Sequence, residues 1–534
     1  MRIADKVSQR PALAAWLCAA LALAFALPQL GDLDGLGHPD EAFYLSIASD
    51  MIHGHRWMPS HDGLYVFQKP PLVFWAARLS MTIFGDNAAA ARLPGALAAA
   101  ALCGAGALLA TELAGAPAGL LAGLFLVGSL GVERFGRELM IDLPLAACLT
   151  AALACLAHAL AAPEPRRRTL LAAGFFAGLS WGIKGPIGPL LLLAAGTMTL
   201  ALVRRLGLLR RGALWAGIGL GLLPVAPWYA WAIAEHPREF WLIHVVEQHF
   251  ARFEVAHGQD PWNLLWGILL YTLPFTPLAL LGFARAWSSR ESRLADALPL
   301  AWIGAFLVLF GLPKEHGLHY PVLILAPLAA LAARAALSSS RMGRLLRKGT
   351  AVALGLLAAL AILPLRFPGI APWIGIAMAL ALFGAAWGWS REAPQGAGWG
   401  SLGGALAACV AIGYLGPALA GPLVPPSAAA LGRGRIVGVL QDHPGPFNLA
   451  ASWQGAYEIF GRGQLQRAID RGDLILVRDH ALADLEPGPA LRLLPLTTWR
   501  RARPYLRPSD IWNAWLARDL DRLRERCGLY RVGS

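Results

Sequence analysis

Of the 46 basic residues in this 534-residue chain only five are lysines, and three of these stand beside prolines at the ends of apolar runs. They are Lys69 in Phe67-Gln68-Lys69-Pro70-Pro71, Lys184 in Gly182-Ile183-Lys184-Gly185-Pro186 and Lys314 in Leu312-Pro313-Lys314-Glu315. A compact, desolvatable ammonium is suited to holding a phosphate in a water-poor site, whereas this chain otherwise writes its positive charge as Arg. For any single lysine, snorkelling at a membrane interface is the plain alternative. Three on the same side of the membrane point to a site.

Carboxylates recur at similar positions. In His38-Pro39-Asp40-Glu41-Ala42-Phe43-Tyr44, Pro39 sets a turn and a short helix follows. Asp40 is placed either to cap that helix or to act as a general base on an acceptor hydroxyl. Glu41 points about 100° away on a helix and reads as a supporting ligand or as the partner of a basic residue. Asp142 opens another apolar segment, where a carboxylate is costly and usually has a task, although it also complements the helix dipole. Arg134 and Arg137 lie just before it, placed to pair with it or to face phosphate.

Further along, Gln248, His249 and Arg252 fall on one helical face, with Phe250 and Phe253 on another. Arg252 suits a phosphate; His249 reads as a ligand, a hydrogen-bond donor or a surface group. Lys314 and Tyr320 bracket a helix hairpin, where Tyr320 also fits an interfacial aromatic.

The elements that must carry these groups are membrane helices. The chain is 57% hydrophobic and 15% charged, and apolar runs of about twenty residues recur along it. The spacing predicts thirteen spans at 11–30, 89–112, 116–132, 139–161, 168–183, 186–203, 212–234, 263–284, 295–312, 318–336, 350–366, 370–389 and 400–421. The first run is too long for a signal-peptide core and reads as a retained helix. Arg clusters at 166–168, 204–211, 285–293 and 341–348 each follow an even-numbered span. The positive-inside rule then puts the amino terminus in the cytoplasm, and Asp40 and the three lysines outside. On this reading the net charge of +13 is topological and calls for no nucleic acid. The six cysteines show no pairing or zinc spacing.

Residues 1–421 form the membrane domain, in which 31–88 is a first outer loop with surface helices at Glu41–His53 and Leu72–Phe84. Residues 422–534 read as a small α/β domain of viable size. Its strands are expected at Arg435–Leu440, Leu474–Val477 and Leu491–Leu496, and its helices at Gln464–Arg471 and Ile511–Arg526.

In order, Pro39-Asp40-Glu41-x-x-Tyr44, Lys69-Pro70-Pro71-Leu72-x-x-Trp75, Arg92-Leu93-Pro94, Asp142-Leu143-Pro144, Lys184-Gly185-Pro186, Pro227-Trp228-Tyr229, His249-x-x-Arg252-Phe253 and Lys314-x5-Tyr320 resemble the bacterial aminoarabinose transferases. These belong to the polytopic glycosyltransferases that also include protein O-mannosyltransferases. The likeness covers about residues 11–340. It implies a GT-C fold in the bacterial inner membrane, a periplasmic active site, a sugar donor joined to polyprenyl phosphate, and inversion at the anomeric carbon. It also implies Asp40 as base, Asp142 as the acid that orients substrate, Lys69, Lys184 and Arg252 on the lipid phosphate, and Lys314 and Tyr320 on the cavity wall. In those transferases a Glu precedes the lysine matching Lys69 and forms a metal site with the His matching His249. Here Gln68 stands in that place, so no cofactor is expected and a divalent metal is doubtful.

The chemistry agrees, because fixed cations stabilise the phosphate as the glycosidic bond breaks while a low-water cavity aligns donor and acceptor. The implied acceptor is lipid A, with a protein hydroxyl or another envelope glycan as alternatives. A flippase would show two-half symmetry, which is missing, and no Gly-rich phosphate loop appears in a strand–helix context.

Overall fold

Proline and glycine divide the apolar runs into helices. In the computed structural model the described residues are 10–28, 30–31, 39–54, 57–61, 64–254, 262–289, 293–338, 341–360, 372–390, parts of 400–411, and 437–440, 457–460, 474–478, 492–502, 517, 519 and 524–533. The first half contains α1 (Pro11–Ala26), α2 (Pro39–His53), the hairpin β1–β2 (Ser60–His61 and Leu64–Tyr65), α3 (Leu72–Phe84), α4 (Ala88–Ala114), α5 (Ala116–Val127) and α6 (Leu130–Phe135). Then come α7 (Asp142–Ala161), α8 (Arg167–Lys184), α9 (Ile187–Leu202), α10 (Gly212–Leu222) and α11 (Ala226–Glu235). A π-helix, Phe240–Phe250, and the turn Ala251–Glu254 precede α12 (Asn263–Tyr271), α13 (Thr276–Ser288) and α14 (Leu294–Gly311). The 3₁₀ turn Tyr320–Ile324, α15 (Leu325–Leu337), α16 (Arg341–Leu360) and α17 (Pro372–Ser390) complete the helical part.

Helices overlie the described parts of the first twelve expected segments, residues 361–366 of the eleventh and most of the thirteenth, 400–421, lying outside the described residues. By length and composition, five described helices can cross a membrane: Ala88–Ala114, Asp142–Ala161, Leu294–Gly311, Tyr320–Leu337 and Pro372–Ser390. Two bent pairs raise the number to seven. Both bends fall inside single expected spans, 212–234 and 263–284. α10 and α11 meet at 61° across Pro224, and α12 and α13 at 113° across Pro274, because proline removes a helical N–H and clashes with the preceding turn.

The helices expected at Glu41–His53 and Leu72–Phe84 are present as α2 and α3. Helix α8 is held against α10 by glycines. A Cβ at Gly174 would lie 2.0 Å from the Leu214 carbonyl oxygen, and one at Gly178 would lie 2.2 Å from that of Ile218. From the other side, Cβ atoms at Gly217 and Gly221 would each meet a backbone carbonyl at 2.1 Å. Small residues four apart let two backbones touch, which is how helices associate where lipid removes the hydrophobic drive. This contact fixes the end of α8, where Lys184 sits.

In the tail, β3 (Val437–Leu440), β4 (Tyr457–Phe460), β5 (Leu474–Arg478), β6 (Arg492–Ala502) and β7 (Arg524–Gly533) form a sheet of order β4-β3-β5-β7-β6. β3 runs parallel to β4 and β5, and β7 antiparallel to β5 and β6. Three of these strands overlap the expected ones. Residues 524–526 were expected to end a helix and instead begin β7, which gains partners on both edges. The expected helix Gln464–Arg471 lies outside the described residues.

Candidate active site

Asp40 lies in the first turn of α2, one residue past Pro39, so it is inside the helix and does not cap it. It is half-buried. Its neighbour Glu41 turns inward and is 2% exposed. Arg92 Nε donates to Glu41 Oε1 at 2.6 Å and Nη2 to Oε2 at 2.8 Å, while the Leu139 N–H donates to Oε1 at 2.9 Å. Glu41 is therefore the partner of a basic residue and a strut between α2, α4 and the chain entering α7; the expected substrate-facing role does not match this placement. Arg134 and Arg137 are likewise spent on structure, pairing with Glu138 at 3.4 Å and Glu133 at 3.0 Å and not with Asp142. Burial pushes both glutamates up to about 7 against the pull of their arginines.

Asp142 and Lys184, the first residue of α7 and the last of α8, meet each other. Lys184 Nζ donates to Asp142 Oδ1 at 2.5 Å, and His319 Nε2 lies 3.6 Å from Oδ2. Lys184 also stands 4.6 Å above the Tyr320 ring, a cation–π contact in a buried setting. Gly185, at φ +69°, lets the chain turn immediately after the lysine.

The third part comes from the π-helix. Arg252 Nη2 donates to Gln248 Oε1 at 3.0 Å, Nη1 donates to the Tyr320 hydroxyl at 3.0 Å, and Nε lies 3.4 Å from Glu315 Oε2. The Tyr320 hydroxyl donates to Glu315 Oε1 at 3.2 Å. Lys314 joins through its backbone, donating to the Arg252 carbonyl at 2.9 Å. Phe250 and Phe253 are exposed, away from these groups.

Lys69 is a cation of this site with no carboxylate partner among the described residues. Its Nζ donates to the neutral Gln248 Oε1 at 2.5 Å, and it makes no ion pair among the described residues. Burial holds its ammonium well below the usual lysine range, with Arg252 and Lys184 pushing the same way and Asp40 and Asp142 opposing. Tyr44 is raised well above its usual range by burial and then by the Asp40 and Asp142 carboxylates. The groups scattered through the sequence thus share one electrostatic neighbourhood. Tyr44, Gln248, Glu315 and His319 belong to it although no role was read for them from the sequence; Tyr44, Glu315 and His319 did stand inside the motifs, and Gln248 on the helical face of His249 and Arg252.

The metal implied by the resemblance can be tested against the donors. Gln68 Oε1 and His249 Nε2 are buried without a hydrogen-bond partner among the described residues. Burial, His244, Lys69 and Arg252 push His249 down to about 4, so its imidazole is neutral at neutral pH, as a metal ligand requires. But an amide oxygen brings no negative charge, and Lys69 and Arg252 repel a cation. No group of three or more His, Cys, Asp or Glu is placed to hold a metal among the described residues. The donor set does not fit. Gln68→Glu should restore the missing charge, so that the chelated and reloaded variant retains about one equivalent of zinc by elemental analysis. Wild type should retain about a tenth of that or less, and equal loading of both proteins would show that the amide does not decide it.

The family comparison is direct. Residues 68–231 match the dolichyl-phosphate-mannose-protein mannosyltransferase family model. An undecaprenyl phosphate-α-4-amino-4-deoxy-L-arabinose arabinosyl transferase of Pseudomonas aeruginosa is 32% identical over 369 residues, 66% of each chain. That of Aeromonas salmonicida is 31% identical over 344 residues, 61% of each. The chain thus spans about two thirds or slightly less of these relatives' length. Crystal structures of ArnT from Cupriavidus metallidurans superpose at TM-score 0.71 bound to undecaprenyl phosphate and 0.72 in the apo state. Each covers 96% of this chain and 97% of that one, at 19% and 18% identity. The chain belongs to the ArnT-like GT-C glycosyltransferases. An ArnT-like chain is a multi-pass inner-membrane protein, and the convergence of Lys69, Lys184 and Arg252 occurs on that family's fold.

Proposed function

We propose that this ArnT-like enzyme moves an aminoarabinose-type sugar from undecaprenyl phosphate to lipid A at the periplasmic face of the inner membrane. The chain crosses the bilayer thirteen times on this reading, with its amino terminus in the cytoplasm and residues 422–534 forming a periplasmic α/β domain. The observation that carries the reading is Lys69, with no carboxylate partner among the described residues, beside the Arg252–Glu315 and Lys184–Asp142 pairs. A phosphate bearing a lipid on one side and a sugar on the other supplies the anion that this corner lacks.

The acceptor oxygen attacks the anomeric carbon from the face opposite the phosphate. The bond from that carbon to the phosphate oxygen breaks, its electron pair stays on the phosphate, and configuration inverts. Lys69 and Arg252 hold the growing charge where little water competes. Asp40 takes the proton of a hydroxyl acceptor. Asp142 works through Lys184, fixing its ammonium over Tyr320, and so is a positioning group.

Donor binding should carry the signature of Lys69. Its proton is held weakly in the empty site and strongly beside phosphate. Affinity should therefore be full below the lowered Lys69 pKa and fall by up to about tenfold per pH unit above it, until the pKa of the bound state is passed. Lys69→Met should weaken binding about 30-fold at low pH and remove this slope, read by calorimetry with the lipid-linked donor in proteoliposomes. Product mass spectrometry with lipid A as acceptor tests the reaction itself. A pH-independent wild-type affinity would dismiss Lys69 as the phosphate ligand.

A further inference from the structure

The bundle end remote from Lys69 holds a second polar cavity, of about 310 Å³, which the transfer site does not use. It lies where α4, α13 and α15 end and where α5 and α14 begin, lined by Ala114, Arg285, Asp296, Leu331, Arg334 and Ser338 among others. α15 starts just after Tyr320 and ends near Arg334, so the cavity and the transfer site are about 20 Å apart along the helix axis. The arginine distribution places this end at the cytoplasmic leaflet.

Its charge is unbalanced. Arg334 spends Nη1 on the Ala295 carbonyl at 2.5 Å and on Asp296 Oδ1 at 2.7 Å. Its Nε and Nη2 make no hydrogen bond among the described residues, and the Arg285 guanidinium makes neither a hydrogen bond nor an ion pair among them. Among the described lining residues, two guanidiniums against one carboxylate leave one net positive charge. Arginine's planar fork favours an oxyanion such as phosphate.

The surroundings decide what kind of phosphate. On α13, Leu280 and Leu281 are exposed, and Trp287, 74% exposed, stacks on Phe283 at 6.2 Å. An indole ring at a helix end marks the headgroup level, and the leucines before it face acyl chains. We infer that this cavity binds the phosphate of an anionic phospholipid headgroup, with Arg285 as its free anchor and the Arg334–Asp296 pair as the rigid wall. Basic recesses between helix ends on the cytoplasmic side have the chemistry such lipids need.

Native mass spectrometry of the full-length protein, delipidated and then titrated with phosphatidylglycerol or phosphatidylethanolamine, tests this. Wild type should hold about one equivalent of phosphatidylglycerol with roughly tenfold preference over phosphatidylethanolamine. Arg285→Gln, which breaks no side-chain hydrogen bond or ion pair among the described residues, should bring that preference to about parity with an unchanged melting temperature. Arg285→Lys should keep part of it. An undiminished preference in Arg285→Gln, or none in wild type, overturns the site. Displacement of the lipid from wild type by equimolar inorganic phosphate would make it a small-anion site and overturn the lipid assignment.

Discussion

Asp40→Asn should lower turnover about 10²–10⁴-fold while donor affinity stays within about twofold. The asparagine keeps the shape and the acceptor oxygen of the side chain but cannot take a proton. Asp40 also helps hold the proton on Lys69, so affinity is compared at a pH below the Lys69 titration, where that influence disappears. Turnover by product mass spectrometry and binding by calorimetry separate the two effects. Near-normal turnover in the variant would remove Asp40 from the role of base.

Lys184→Met should destabilise the fold by about 3–5 kcal/mol, because it leaves Asp142 charged and 1% exposed, with His319 its remaining ion-pair partner among the described residues. Asp142→Asn should cost a similar amount for the reverse reason. The double variant Asp142→Leu with Lys184→Met should recover much of the loss, since no buried charge is then unpaired. Turnover should stay low in all three, because the cation over Tyr320 is disturbed in each. Thermal unfolding in detergent reads the stability, and strictly additive losses in the double variant would mean that the two residues are not energetically coupled.

The sequence located the helices well and their bends badly. Hydropathy places a span to within a few residues because only a helix satisfies its own backbone in lipid. It does not register Pro224 and Pro274, since a bend costs little average hydropathy. The tail shows the opposite weakness. Residues 524–526 continued a helical pattern and were taken into β7 by pairing on both edges, a preference that local sequence does not express. For the site, types and order of residues were legible: Asp40, Lys69, Asp142, Lys184, Arg252, Lys314 and Tyr320 were all named and all lie in or beside the cluster. Their pairing was not.

Composition and motif order alone pointed to a many-span membrane enzyme and named the acids and ammonium groups that could do its chemistry, because lipid leaves little choice of architecture and a charge in it is too costly to be idle. Only the tertiary structure decided which charges are already spent. It tied Lys184 to Asp142 and Glu41 to Arg92, and it left Lys69 beside a neutral amide. It also brought His249 within 5.9 Å of His244, because a π-helix returns to the same face every four to five residues where an α-helical reading turns His244 away. Ion pairing here depends on approach between segments some 40 to 60 residues apart in the chain and on backbone period, and neither is written in local spacing.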